Sequence, residues 1–84
     1  MTATEAAIRE FLVTEVFYDR DLTDLGVEDS LLERGLLDSL AILKTVTFCE
    51  EHFGIAIPDG EVLPDHFESV QAIAALVERQ RGSA

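Results

Sequence analysis

Apolar residues in this chain recur at intervals of three and four, and no stretch shows the period-two alternation of a half-buried strand, which points to a backbone built of helices. Ile8, Phe11, Leu12 and Val16 form a first stripe, Ile42, Val46, Cys49 and Phe53 a second, and Val70, Ile73, Ala74 and Val77 a third. These spacings predict helices over about 4–18, 39–53 and 69–81, with Thr4 capping the first, Gly54 ending the second and Ser69 capping the third. Pro64-Asp65-His66-Phe67 suits one short helical turn, because proline fits a first helical position. The long break from Asp19 to Asp38 is expected to be a loop pinned to the core by Leu22, Leu25, Leu31 and Leu32. A linker containing Gly60 follows Ile57-Pro58, and the tail Gly82-Ser83-Ala84 is expected to fray. The fold class is all-α: three main helices, one short helix and a long first loop. With 84 residues there is room for one small core, so a single domain over 1–84 is expected.

Charge narrows the partners. Seventeen acidic residues against six basic ones give a net charge of -11, and the acids are spread along the chain. Nucleic acid and anionic membrane are thereby disfavoured, whereas basic patches on other proteins would attract such a surface in a salt-dependent way. The single cysteine allows no internal disulfide, and the N-terminal stretch lacks the basic start and apolar run of a targeting signal. A cytoplasmic monomer is the expectation.

Constellations for catalysis or metal binding are mostly lacking. His52 and His66 stand far apart without a ligand pattern between them, so no metal site is expected. The acids Asp19, Asp21, Asp24, Glu28 and Asp29 resemble a calcium loop only until the register is counted, since Asp24 falls where the turn glycine belongs. Cys49 lies on the inward stripe of the second helix beside Glu50 and Glu51, a setting for a buried apolar thiol and not for a nucleophile. The outward face of that helix carries Leu40, Lys44, Thr47 and Glu51, a mixed strip suited to partner contact. Ser39 stands where the long loop meets the helix. Serine and aspartate are both favoured there as caps, yet the free N–H groups and positive dipole end also suit a phosphate ester.

The surroundings of Ser39 then carry a resemblance. Asp38-Ser39-Leu40, preceded by Ser30-Leu31-Leu32-Glu33 and followed by Phe53-Gly54-Ile55, Ile57-Pro58-Asp59 and Phe67-Glu68-Ser69-Val70, is similar to the attachment region of acyl carrier proteins. The resemblance spans nearly the whole chain. It implies a four-helix, non-catalytic carrier whose Ser39 receives 4'-phosphopantetheine from coenzyme A through a phosphopantetheinyl transferase, and which then bears cargo as a thioester. Asp38 and Leu40 flank the attachment point. Leu40, Lys44, Thr47 and Glu51 become the implied docking strip for an acyltransferase, ketosynthase or adenylating ligase. The chain departs from the fatty-acid type, which has acids in place of Ala41 and Lys44 and Leu-Gly-Ala before Asp-Ser. A specialised polyketide or related pathway is therefore implied, while Gly35-Leu36-Leu37-Asp38-Ser39 is also similar to D-alanyl and other aminoacyl carriers. An alternative from another class is an unmodified acidic adaptor in which Ser39 is only a cap.

Overall fold

The first helix begins earlier than its apolar stripe suggests, because Thr2 and not Thr4 is its cap. In a computed structural model of the chain, which describes residues 1–82, the Thr2 hydroxyl accepts from the Glu5 N–H at 3.0 Å, and the Glu5 carboxylate accepts from the Thr2 N–H at 2.8 Å. This reciprocal pair satisfies two N–H groups that would otherwise lack partners. Thr4 is instead buried, and its hydroxyl donates to Glu78 at 2.9 Å across the molecule.

Helix α1 runs Ala3–Phe11, α2 Ser39–Phe53 and α3 Val70–Arg81. Past Phe11 the chain does not continue as α-helix to residue 18. It widens into a π-helical stretch over Leu12–Val16, closed by the Phe17 N–H donating to the Leu12 carbonyl at 2.8 Å. Thr14 lies in this segment, and its hydroxyl donates to the Glu10 carbonyl at 2.7 Å. Phe17 leaves the helix there and is buried in the core. The short turn appears as 3-10 helix over Pro64–Phe67, and part of the expected linker forms a second such turn over Asp59–Glu61. Among the described residues there is no strand, and no helix is long and apolar enough to cross a membrane. Of the tail, Ser83 and Ala84 lie outside the described residues.

The core is centred on α3, which buries Val70, Ile73, Ala74, Leu76 and Val77, and on Ile8 and Leu12 from the α1 segment. Helix α2 joins through Cys49, as the stripe predicts, and through Ala41 and Thr45, each one position before an expected member; Ile42, Val46 and Phe53 are half-buried at its edges. Small side chains make that seam because they let the helix backbone approach closely. The one polar member, Thr45, donates its hydroxyl to the Ala41 carbonyl at 2.7 Å and so leaves no unmatched group inside.

The long loop contributes Leu22, Leu25, Leu31 and Leu36 to this core, each worth about 1.5–3 kcal/mol on burial. Leu32, expected among them, is 63% exposed and points away. Polar ties hold the loop's path. Arg9 donates from Nε to the Leu25 carbonyl at 2.8 Å and from Nη2 to the Leu22 and Thr23 carbonyls at 3.2 and 3.1 Å. Arg34 reaches Asp24 and Asp29, each at 3.3 Å. Backbone bonds join the loop to the start of α3: the Leu31 N–H donates to the Glu68 carbonyl and the Gln71 N–H to the Val27 carbonyl. Three of the five acids that resembled a calcium loop are engaged elsewhere: Asp24 and Asp29 with Arg34, and Asp21 with the N–H and hydroxyl of Thr23. Those last two bonds, the backbone one first, hold the Asp21 carboxyl below its ordinary range.

Replacing Arg9 with Met keeps the aliphatic stem but removes three charge-assisted bonds. Urea unfolding is expected to show a loss of about 1.5–3 kcal/mol, with the helical content of the folded state unchanged.

Candidate functional site

The entry into α2 is fixed by a helix stop that comes before it. Residues 31–34 form a single turn started by Ser30, whose hydroxyl accepts from the Glu33 N–H at 3.1 Å. The turn ends with the Gly35 N–H donating to the Leu32 carbonyl and the Leu36 N–H to the Leu31 carbonyl. Gly35 sits at φ 73°, a left-handed conformation that this double-bonded ending requires and that glycine adopts without penalty. Leu36, the residue after it, is buried together with Leu31, so the reversal is locked from both sides. The chain then has room for two residues before helix begins.

Asp38 is the second of these, and it caps α2. Its carboxylate accepts from the Ala41 N–H at 2.7 Å. Ser39 therefore occupies the first helical position, exposed, with no backbone group depending on its hydroxyl among the described residues. Capping by Ser39, the bland expectation for a serine here, is replaced by capping from its neighbour. What remains is an outward hydroxyl beside the N–H groups of Ser39 and Leu40, at the positive end of a fifteen-residue helix. That combination suits an oxygen carrying a phosphate ester.

Leu40, Lys44, Thr47 and Glu51 lie along the outer side of α2, as their spacing indicates, with Leu40, Lys44 and Glu51 exposed and Thr47 exposed between them. Leu43 belongs with them; it is 62% exposed and Leu40 60%, so two uncovered leucines flank the lysine. Helical spacing alone could have found it, since Leu40, Leu43, Thr47 and Glu51 also recur at three and four. Ala41, by contrast, is 5% exposed and belongs to the core, so the departure from the fatty-acid pattern that bears on the surface is Lys44.

Two clefts open beside this face. One, of about 490 Å³, lies between the first helix and α2, with Leu43, Lys44 and Glu51 on one side and Phe11 and Glu15 on the other. Its floor is a stack of Phe11 on Phe48, ring centroids 4.2 Å apart, which His52 extends at 4.9 Å from Phe48. The other cleft, about 170 Å³, adjoins the start of α2 and is lined by Asp38, Leu40 and Lys44 on one wall and Phe17, Asp19 and Arg20 on the other. Inside the bundle, between Leu12, Ala41, Thr45 and Phe67, the space is only about 10 Å³. This is roughly the room of one water-sized probe.

Cys49 is fully buried, and burial, with a smaller contribution from the Glu50 charge, pushes its thiol from near 9 up to about 12. It is no nucleophile at neutral pH. His66 is committed through Nδ1 to the Glu61 carbonyl at 2.7 Å, and no group of three or more potential ligands that could hold a metal ion occurs among the described residues.

Comparison with known proteins places the chain in a family. The family model described as "Phosphopantetheine attachment site" matches residues 12–77, from the π-helical stretch through most of α3. A relative named "Probable acyl carrier protein PigG", from Serratia sp. (strain ATCC 39006), is 33% identical over 63 residues, which cover 75% of this chain and 72% of that protein. A chain in a solved structure described as "Crystal structure of FAD-dependent dehydrogenase" superposes with a TM-score of 0.73 at 33% identity, covering 83% of this chain and 97% of that one.

Two outcomes test the site's construction. Asp38→Ala is expected to lose about 0.5–2 kcal/mol in urea unfolding, while Ser39→Ala stays within about 0.5 kcal/mol of wild type, the reverse of what a serine cap would give. Cys49 should resist alkylation until the protein unfolds. Because its thiol ionises near 9 when unfolded but near 12 when folded, the unfolded chain holds fewer protons between those values and stability falls as pH rises through that window. The unfolding midpoint of Cys49→Ala should decline less steeply above pH 9 than that of wild type.

Proposed function

Since this chain belongs to the phosphopantetheine attachment-site family of non-catalytic carriers, we propose that Ser39 is its attachment residue and that it carries a small cargo for a specialised biosynthetic pathway. The observation that carries this reading is the division of labour at α2. Asp38 caps the helix, which frees the exposed Ser39 hydroxyl to take the phosphopantetheinyl group of coenzyme A in exchange for its proton. A phosphopantetheinyl transferase supplies that exchange, and the arm supplies the thiol that bears the cargo. The protein's own sulfur takes no part, being buried and protonated. The chain's contribution is recognition: a mobile tether raises the cargo's effective concentration wherever the carrier docks.

Docking is assigned to Leu40, Lys44, Thr47 and Glu51, joined by Leu43. Two exposed leucines offer an apolar anchor, and the surrounding acidic surface steers basic partners. Lys44 within this strip favours a partner that presents an acid at that point, which separates it from a partner built for a wholly acidic face. The interior, with about 10 Å³ of space, favours a cargo held outside the bundle over a long buried acyl chain. An acyl intermediate of a polyketide or related pathway, delivered by an acyltransferase or taken up by a ketosynthase, meets that condition. An aminoacyl group loaded by an adenylating ligase meets it equally, and the Gly35-Leu36-Leu37-Asp38-Ser39 entry supports this second reading. The similar solved structure is described as an FAD-dependent dehydrogenase, so a flavin-dependent oxidation of the tethered cargo belongs among the partner reactions to test. A cytoplasmic monomer suits a lone, buried and unpaired cysteine.

Co-expression with a broad-specificity transferase and intact mass measurement should show the phosphopantetheine mass on wild type and none on Ser39→Ala; equal labelling of both would refute the attachment site. Incubating the loaded protein with adenylating enzymes and a panel of amino and carboxylic acids then identifies the cargo class. Lys44→Glu is expected to change the rate of transfer with the native partner while leaving thermal stability nearly unaltered. A large stability loss with unchanged transfer would remove Lys44 from the docking strip.

A further inference from the structure

Six basic side chains serve this chain, and four of them are already engaged. Arg9 is spent on three loop carbonyls, Arg34 on Asp24 and Asp29, Arg81 on Glu78, and Arg79 is likewise engaged. Arg20 and Lys44 are the exceptions: among the described residues neither side chain has an ion pair or hydrogen bond, although seventeen acids are available. Both nevertheless line one cleft, the space of about 170 Å³ whose wall also includes Asp38 and Leu40, the two residues flanking Ser39. The cleft also carries the carboxylates of Asp19 and Asp38, yet neither cation is paired with them, so on a surface of net charge -11 two cations stand without a partner beside the exposed Ser39 hydroxyl. An anion held at that cleft would give both cations a partner.

Resting on the reading that Ser39 bears the arm, we propose that Arg20 and Lys44 seat the arm's phosphodiester in this cleft. The phosphodiester carries a single negative charge at neutral pH and is fixed within one residue of the cleft wall. Arg20 offers a planar fork of donors and Lys44 a point charge, a pair able to engage one phosphate from opposite walls. The apolar surface of Phe17 and Leu36 in the same cleft gives the neighbouring methyl-bearing part of the arm something to lie against. Arg20 and Lys44 are positioning residues here: they set the direction in which the arm leaves the protein and touch no bond that reacts. Since both are exposed, the seat is shallow and holds the arm in exchange with a free state, by a factor of about two to five in population per cation. Salt should release it.

The test uses wild-type, Arg20→Gln and Lys44→Gln proteins, each loaded and verified by intact mass. In wild type at low salt, the Arg20 side-chain N–H resonance should shift between unloaded and loaded forms. The phosphorus resonance should relax with the tumbling of the protein. Either glutamine variant, or high salt, should move phosphorus relaxation toward that of a freely swinging arm, while circular dichroism stays unchanged. A loaded wild type whose Arg20 resonance does not move, or equal phosphorus relaxation in all three proteins, overturns this proposal and leaves the carrier reading standing. A wild type that never gains the mass overturns both.

Discussion

One guanidinium holds three carbonyls of a loop that otherwise has little internal structure, and the path of that loop toward α2 depends on that hold. Arg9 stands in α1, so the loop is tied to the helix that precedes it. Ordering an irregular stretch of chain costs backbone entropy, which the buried leucines Leu22, Leu25, Leu31 and Leu36 offset in part. The Arg9 tie, the Arg34 pairs and the two backbone bonds to the start of α3 share that load. Their joint effect is positional. The loop arrives at Gly35 in one conformation, reverses there, and presents Asp38 to the first turn of α2.

Much of this is legible in the chain itself. The limits of α2 are plain because Gly54 supplies a left-handed ending at φ 65° and a capping residue stands at its start. The outward face of α2 follows from spacing, which places Leu40, Lys44, Thr47 and Glu51 on one side of the helix. What spacing does not reveal depends on partners distant in sequence. Thr2 and Thr4 are equally good caps by residue type, and the choice is decided by Glu5 three residues after Thr2 and by Glu78, which claims Thr4 from the far end of the chain. The inward seam of α2 is displaced for a different reason. Hydrophobic patterning weights large side chains and so selects Ile42, Val46 and Phe53 along with Cys49, whereas close packing keeps Cys49 and adds the small residues Ala41 and Thr45. Leu32 escapes such patterning because it sits in a single turn of chain, too short to show a face.

The division between Asp38 and Ser39 is half visible. Both residue types favour helix starts, and only the hydrogen bond to Ala41 shows which of them is committed to the backbone. The same principle, that a group already bonded is unavailable for function, organises the charges around the loop. Asp24 and Asp29 are held by Arg34 and a local N–H group, the only thiol is sealed and protonated, and His66 is tied to a carbonyl. The Ser39 hydroxyl, at the first turn of α2, carries no such obligation among the described residues.

The near-solid interior has a kinetic corollary. A carrier that could fold its load into the bundle would lengthen the load's lifetime by keeping hydroxide and stray nucleophiles away from it. With space for little more than one water molecule between Leu12, Ala41, Thr45 and Phe67, the bundle holds no preformed refuge at that point. On the carrier reading proposed above, a passenger would travel in the open, and the survival of its activated bond would be a race between spontaneous hydrolysis and the next encounter. Selection would then act on encounter frequency, which gives a high negative charge and a prominent leucine-bearing face a purpose beyond solubility.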